Sequence, residues 1–164
     1  SSSFNTQRID PLYEDPHNFT LNSSSFKAGE RIAEMGACIN CHFYGEEKPK
    51  QDALTWAPNL VLTKERLRPE WLVEWFINPQ DVMPGTKMPA PYIPTEEPQN
   101  SIREVWGSDV AKISRDSTKL YKSLIDWMWG MEGRKDVSSI VKRHLNSQGY
   151  GFIIEEEDDW GDEW

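Results

Sequence analysis

Cys38-Ile39-Asn40-Cys41-His42 concentrates the chemistry of this chain. Two thiols three positions apart, followed at once by an imidazole, form the C-x-x-C-H pattern that attaches a c-type haem covalently. The thiols of Cys38 and Cys41 would add to the two vinyl groups of a porphyrin, and His42 would present its ring to the iron. Two intervening residues let both sulfurs reach one edge of the macrocycle while the histidine points at its centre. The chain has 2 cysteines, so the attachment consumes both and leaves none for a disulfide. Two other uses of the pattern compete. A C-x-x-C redox pair belongs in a thioredoxin-like βαβ setting, which this sequence does not offer. A zinc site needs a fourth ligand, and His17 and His144 each stand alone.

An iron held by one histidine needs a second axial ligand to become six-coordinate. The segment Met83-Pro84-Gly85-Thr86-Lys87-Met88-Pro89 offers one. A thioether favours reduced iron and so raises the reduction potential. Prolines on both sides stiffen the loop, which places a sulfur in advance. The loop holds two such sulfurs, Met83 and Met88. His17 or His144 would instead give a bis-histidine iron of lower potential.

These residues need elements to hold them. Residues 25–36 predict a helix with Phe26, Gly29, Ile32, Ala33 and Gly36 along one stripe, capped by Ser24 or Ser25. A second helix should start near Pro69, with Trp71, Leu72, Trp75 and Phe76 on one broad face, and stop at Asn78-Pro79. The proline-rich stretch 79–98 reads as a stiff loop, and 99–115 as short helical turns. A third helix is expected over 117–130 behind Asp116, with Leu120, Tyr121, Leu124, Trp127 and Met128 on its apolar face. A short fourth follows Asp136, carries Val137, Ile140, Val141, His144 and Leu145, and ends before Gly149. The expected class is all-α, with three to four helices.

Hydrophobic residues make up 37% of the 164 positions, and the mean hydropathy is −0.70. Such a lean core would gain from the apolar surface of a buried porphyrin. The 8 tryptophans, 5 tyrosines and 6 phenylalanines suit a chain that wraps a flat macrocycle. The net charge of −9 is largely a tail property: 7 acids lie between Glu155 and Glu163. The rest of the chain is nearly neutral, which speaks against nucleic acid as a partner. A basic partner for the acidic tail is the expectation there, with Trp160 and Trp164 as contact residues. No apolar run reaches transmembrane length. No signal peptide is visible, so a mature or trimmed form is expected.

Residues 25–130 resemble a class I, single-haem c-type cytochrome. The parts occur in order: Gly29 in an N-terminal helix, C-x-x-C-H at 38–42, Pro-Asn-Leu at 58–60, P-G-T-K-M at 84–88, and Trp127 in a C-terminal helix. The run W-L-x-x-W-F-x-x-P before P-G-T-K-M-P is similar to cytochrome c domains of respiratory complexes. The resemblance implies a helical bundle around one covalently bound haem c. His42 would be the proximal ligand and Met88 the distal one, with the Pro58 carbonyl accepting from His42 Nδ1. It also implies that Gly29 and Trp127 mark a close helix crossing. It leaves out an arm at 1–24, an insertion at 91–115, an extension at 131–154 and the tail at 155–164.

The implied function is single-electron transfer rather than enzymatic turnover. The chain would be a carrier or a subunit of a respiratory or photosynthetic electron-transfer complex. Its partners would be redox proteins or the subunits of that membrane complex. Attachment through C-x-x-C-H implies export, to the bacterial periplasm or the outer face of the cytoplasmic membrane. A different class, small-molecule sensing or peroxidase-like chemistry, would require an open sixth site.

Overall fold

The computed structural model describes residues 23–151; the arm up to residue 22, with His17, and the acidic tail lie outside them. Every regular element among the described residues is helical. In chain order they are α1 (Ser23–Met35), α2 (Thr63–Arg66), α3 (Pro69–Ile77), α4 (Pro79–Val82), α5 (Gln99–Val105), α6 (Ser108–Ile113), α7 (Ser117–Trp129) and α8 (Ser138–Ser147). Three 3₁₀ turns, Cys38–Asn40, Ala53–Thr55 and Leu60–Leu62, punctuate the long connection after α1. The all-α expectation holds. The number of helices does not: α1, α3, α7 and α8 match the four expected, and four short helices join them.

The central element is α7. Its residues Ser123 to Trp129 are all buried, so it is covered on every side rather than along one stripe. Asp116 opens it, its carboxylate accepting from the Lys119 backbone N–H at 3.2 Å. Against it pack α1, α3, α2 and α6. The α1–α7 contact is closest at Gly29, where a Cβ would lie 1.9 Å from the Ser123 carbonyl oxygen and 2.9 Å from Trp127 Cβ. Only a residue without a side chain permits that approach. Asp126, 2% exposed on the same helix, is held by Ser25 Oγ at 2.5 Å and Lys122 Nζ at 3.3 Å. A buried carboxylate is tolerable because it is paired in this way.

Two boundaries differ from expectation. The first helix begins at Ser23, so Ser24 and Ser25 lie inside its first turn, and their hydroxyls reach Asp109 and Asp126. Their short side chains find tertiary acceptors there, which sequence position alone does not reveal. The proline-rich stretch is not all loop, because Pro79 opens the helical turn α4. Proline suits a first helical position, where no intrahelical partner for its nitrogen is needed. Asn78 before it is extended (φ −153, ψ 90) and separates α3 from α4. The segment 99–115, expected as short helical turns, forms α5 and α6. Ile102, Trp106 and Val110 are at most 5% exposed and join the same apolar cluster as Ile32 and Leu124.

Candidate metal centre

The C-x-x-C-H turn starts where α1 ends. Gly36 N–H bonds to the Ile32 carbonyl at 2.8 Å, and Ala37 then adopts a left-handed conformation (φ 54, ψ 38). For a residue with a Cβ this costs roughly 1–2 kcal/mol. It turns the chain abruptly into the Cys38–Asn40 turn. His42 N–H closes that turn on the Cys38 carbonyl at 3.0 Å. Cys38 and Cys41 are free thiols, each half-buried. Burial pushes the Cys38 thiol up to about 11, with the neighbouring Cys41 adding to the rise. At neutral pH Cys38 is therefore a protonated thiol, slow to attack a disulfide.

The loop 50–60 runs beside this turn and is tied to it. Lys50 and Gln51 N–H groups bond to the Ile39 and Asn40 carbonyls, and Ala57 N–H bonds to the Cys41 carbonyl at 2.7 Å. The resulting pairing of His42 with Ala57 brings Pro58 against the imidazole. His42 Nδ1 lies 2.7 Å from the Pro58 carbonyl oxygen. A carbonyl only accepts, so Nδ1 carries the proton and Nε2 keeps its lone pair. Burial holds the His42 ring below its ordinary pKa, with the Pro58 bond acting the other way. The result is a neutral imidazole with one nitrogen available to a metal.

Asn59 anchors the same loop from behind. It is 5% exposed. Its Oδ1 accepts from Gly45 and Val61 N–H groups, and its Nδ2 donates to the Arg134 and Lys135 carbonyls. The segment after α7 is thereby stapled to the residue next to Pro58. Further along, the His144 ring of α8 lies tilted against Trp56 at 4.6 Å, and Trp56 meets Phe43 edge-on at 5.1 Å.

The methionine loop is built as a tight turn. Thr86 N–H bonds to the Met83 carbonyl at 3.1 Å across Pro84-Gly85, and Gly85 has φ +88. Proline followed by a glycine of positive φ is the type II pattern. Gln80 closes the loop from α4, accepting from Gly85 N–H at 3.1 Å and donating to the Thr86 carbonyl. Within it the two sulfurs part company. Met83 is 56% exposed, whereas Met88 is half-buried against the core cluster that also takes Cys38. The Trp75 indole N–H donates to Met88 Sδ at 2.9 Å, and Trp75 in turn stacks on Trp71 at 5.1 Å.

The structure thus brings Cys38, Cys41, His42 and Pro58 together, and holds Met88 against α3 through Trp75. Among the described residues, no three His, Cys, Asp or Glu side chains converge on a point that would hold an ion. Cys38, Cys41 and His42 do not form the compact cluster that a zinc site needs. The donor set fits a haem better: two thiols free of any disulfide on one turn, an imidazole with its outer nitrogen oriented, and a half-buried thioether. Two contributors were not legible in the sequence. Trp75 stands 13 residues before Met88, beyond any helical or turn spacing. Asn59 appeared only as the middle of Pro-Asn-Leu, while the carbonyls its Nδ2 serves lie 75 and 76 residues on. No helix among the described residues is long and apolar enough to cross a membrane. No protein-family model matches the chain, and no curated protein or solved structure matches it either.

Proposed function

We propose that this chain is a single-haem c-type cytochrome that passes single electrons between partner proteins. Its haem c would be bound covalently through Cys38 and Cys41, with His42 and Met88 as axial ligands. The group would supply one-electron cycling of iron, with no bond made in a substrate, so the protein is not an enzyme. The observation that carries the reading is the C-x-x-C-H turn with His42 Nδ1 committed to the Pro58 carbonyl. That bond sets the tautomer a metal ligand needs and stops the ring from rotating. The crossing of α1 and α7 at Gly29 supports a class I cytochrome c-like bundle.

The remaining side chains have supporting tasks. The Pro84-Gly85 turn and Gln80 limit the movement of Met88, which keeps reorganisation small when the charge changes. Gly36 and Ala37 set the thiols at the end of α1. Redox proteins, or subunits of a respiratory or photosynthetic complex, are the partners this chemistry serves. The bacterial periplasm or the outer face of the cytoplasmic membrane is where such attachment takes place. The acidic tail would draw a basic partner. The test is a visible and near-infrared spectrum of the purified protein in both redox states. A low-spin spectrum with the methionine-to-iron charge-transfer band is expected. A high-spin spectrum without that band would replace this reading with an open-site one, gas sensing or peroxidase-like chemistry.

A further inference from the structure

α8 carries an apolar stripe, yet none of its residues is buried. A stripe of this kind is ordinarily laid against another element. Here Val137, Val141 and Leu145 line one side of a groove of about 680 Å³, and Pro58 and Leu62 line it from the chain ahead of α2. All of these but Pro58 are half-buried. The charged rim is mainly basic, with Arg66, Lys135 and Lys142 against Asp136. Asp136 is spent on the Ser138 N–H, and Lys135 is bonded to Glu65. That second bond also sets Arg66, the residue after Glu65, near the start of α8.

The end of α8 directs the chain back toward this groove. Gly149 is left-handed (φ +97), and its N–H bonds to the Asn146 carbonyl at 3.0 Å. Tyr150 N–H bonds to the Leu145 carbonyl at 3.1 Å. This paired closure is the Schellman motif. It holds Tyr150 beside Leu145, a groove residue, instead of a further turn along the axis. The residues that come next are Phe152, Ile153 and Ile154, then Glu155, Glu156 and Glu157. Apolar first and acidic second is the order the groove presents when followed back from Leu145 and Val141 toward Lys135 and Arg66. The reach is ample. From Leu145 back to Ser138 is about 10 Å of helix at 1.5 Å per residue. Six extended residues after Gly151 span about 20 Å.

We propose that Phe152, Ile153 and Ile154 dock in this groove within the same chain, with Glu155, Glu156 and Glu157 over its basic rim. The apolar residues bury themselves and the α8 stripe together, which supplies the driving force. The acids add charge complementarity and fix the direction in which the segment lies. Once filled, the groove covers Pro58 and Asn59 from outside, so the segment clasps the loop that carries the carbonyl facing His42. The acids from Asp158 onward stay beyond the groove, where they remain open to a basic partner. The docking does not depend on the haem reading.

The experiment is solution NMR on the full chain with labelled isoleucine, leucine and valine methyls. Nuclear Overhauser contacts are expected between the methyls of Ile153 or Ile154 and those of Val141 or Leu145. Joint replacement Ile153→Ser and Ile154→Ser should abolish them and shift the Val141 and Leu145 methyl signals, while the core methyls of Ile32 and Leu124 stay in place. The Ile153 and Ile154 amides should exchange at least about tenfold more slowly than in a free peptide of residues 150–164. Joint replacement of Glu155, Glu156 and Glu157 by glutamine should cut that protection about threefold, as should about 0.5 M salt, because exposed ion pairs are weak and screened. Protection unchanged by both would overturn the charge complementarity. Missing contacts with peptide-like exchange would overturn the docking and leave the groove to a partner protein. Contacts seen only between differently labelled chains in a mixed sample would overturn it in favour of a second copy.

Discussion

Replacing Gly29 with alanine tests the helix crossing on which the whole bundle is built. An added Cβ would sit 1.9 Å from the Ser123 carbonyl oxygen, 2.5 Å from its carbon and 2.9 Å from Trp127 Cβ. Two of these are backbone atoms of α7, so no rotamer change relieves the contact. Restoring ordinary van der Waals distance requires α1 and α7 to part locally by about 1.5 Å. The cost is spread over neighbours that are fully packed: Ala28, Ile32 and Leu124 are each at most 2% exposed. Overpacking of this kind costs roughly 1–3 kcal/mol, and more where the backbone must move. Alanine returns about 0.5–1 kcal/mol through its better helix propensity. A net loss of roughly 2–3 kcal/mol follows, which is a large part of a marginal stability. For a chain of this size that lowers Tm by about 6–12 °C. Thermal unfolding followed by far-UV circular dichroism at one scan rate measures it. A Tm within about 2 °C of wild type would show that α1 and α7 do not cross at Gly29.

Three further outcomes follow from named bonds. Asn59→Ala removes four hydrogen bonds at a 5% exposed site and should cost roughly 2–4 kcal/mol, with faster amide exchange at Gly45 and Val61; unchanged exchange there would refute the anchoring role. Joint replacement of Cys38 and Cys41 by alanine should give a chain without a haem-stained band on a denaturing gel, and a stained band would rule out attachment at these thiols. The Asp136 carboxyl is held below its ordinary 3.8, first by its bond to the Ser138 backbone N–H, with Arg134 and Lys142 adding. Its support of α8 is therefore present above that ordinary value and lost as pH falls through the lowered one. Asp136→Ala should show less helix than wild type at neutral pH and match it in acid below that lowered value; a gap that persists there would show that this carboxylate is not what supports α8.

What the sequence revealed, and what it hid, follows the range of the forces involved. Periodicity placed α1, α3, α7 and α8 within two residues at each end, because an apolar face repeating every three to four positions is a local signal. Asp116 was legible as a cap for the same reason, since its acceptor and the N–H it serves are three residues apart. The C-x-x-C-H turn is a contiguous motif. The short helices α5 and α6 were visible only as scattered apolar residues, and their place in the core was not. Val110 lies on α6, which packs on α1 and α7, and Ile102 lies on α5, which packs on α6. Met88 stood out by its loop, but its separation from Met83 depends on burial that no spacing encodes. Ser25 pairs with Asp126 across 101 positions, so its capping expectation failed through a tertiary partner.

The two sides of the site are held by different parts of the chain, and this gives the region after α7 a task. His42 is oriented by the Pro58 carbonyl. Pro58 is followed by Asn59, whose side-chain amide is spent on the Arg134 and Lys135 carbonyls. Gly133 lies against Gly45 so closely that a Cβ at Gly45 would meet it at 3.6 Å, and Lys64 Nζ reaches the Met131 carbonyl at 3.3 Å. Each of these bonds joins the histidine side of the site to the segment between α7 and α8. The methionine side uses none of them: it depends on Trp71, Trp75 and the Pro84-Gly85 turn. Disturbing 131–137 should therefore loosen His42 and leave Met88 in place, while disturbing α3 should do the reverse. For the haem proposed above, His42 and Met88 would be an axial pair braced independently, which would tolerate a change of iron charge with little motion at either end. That is what fast single-electron transfer requires of the protein around it.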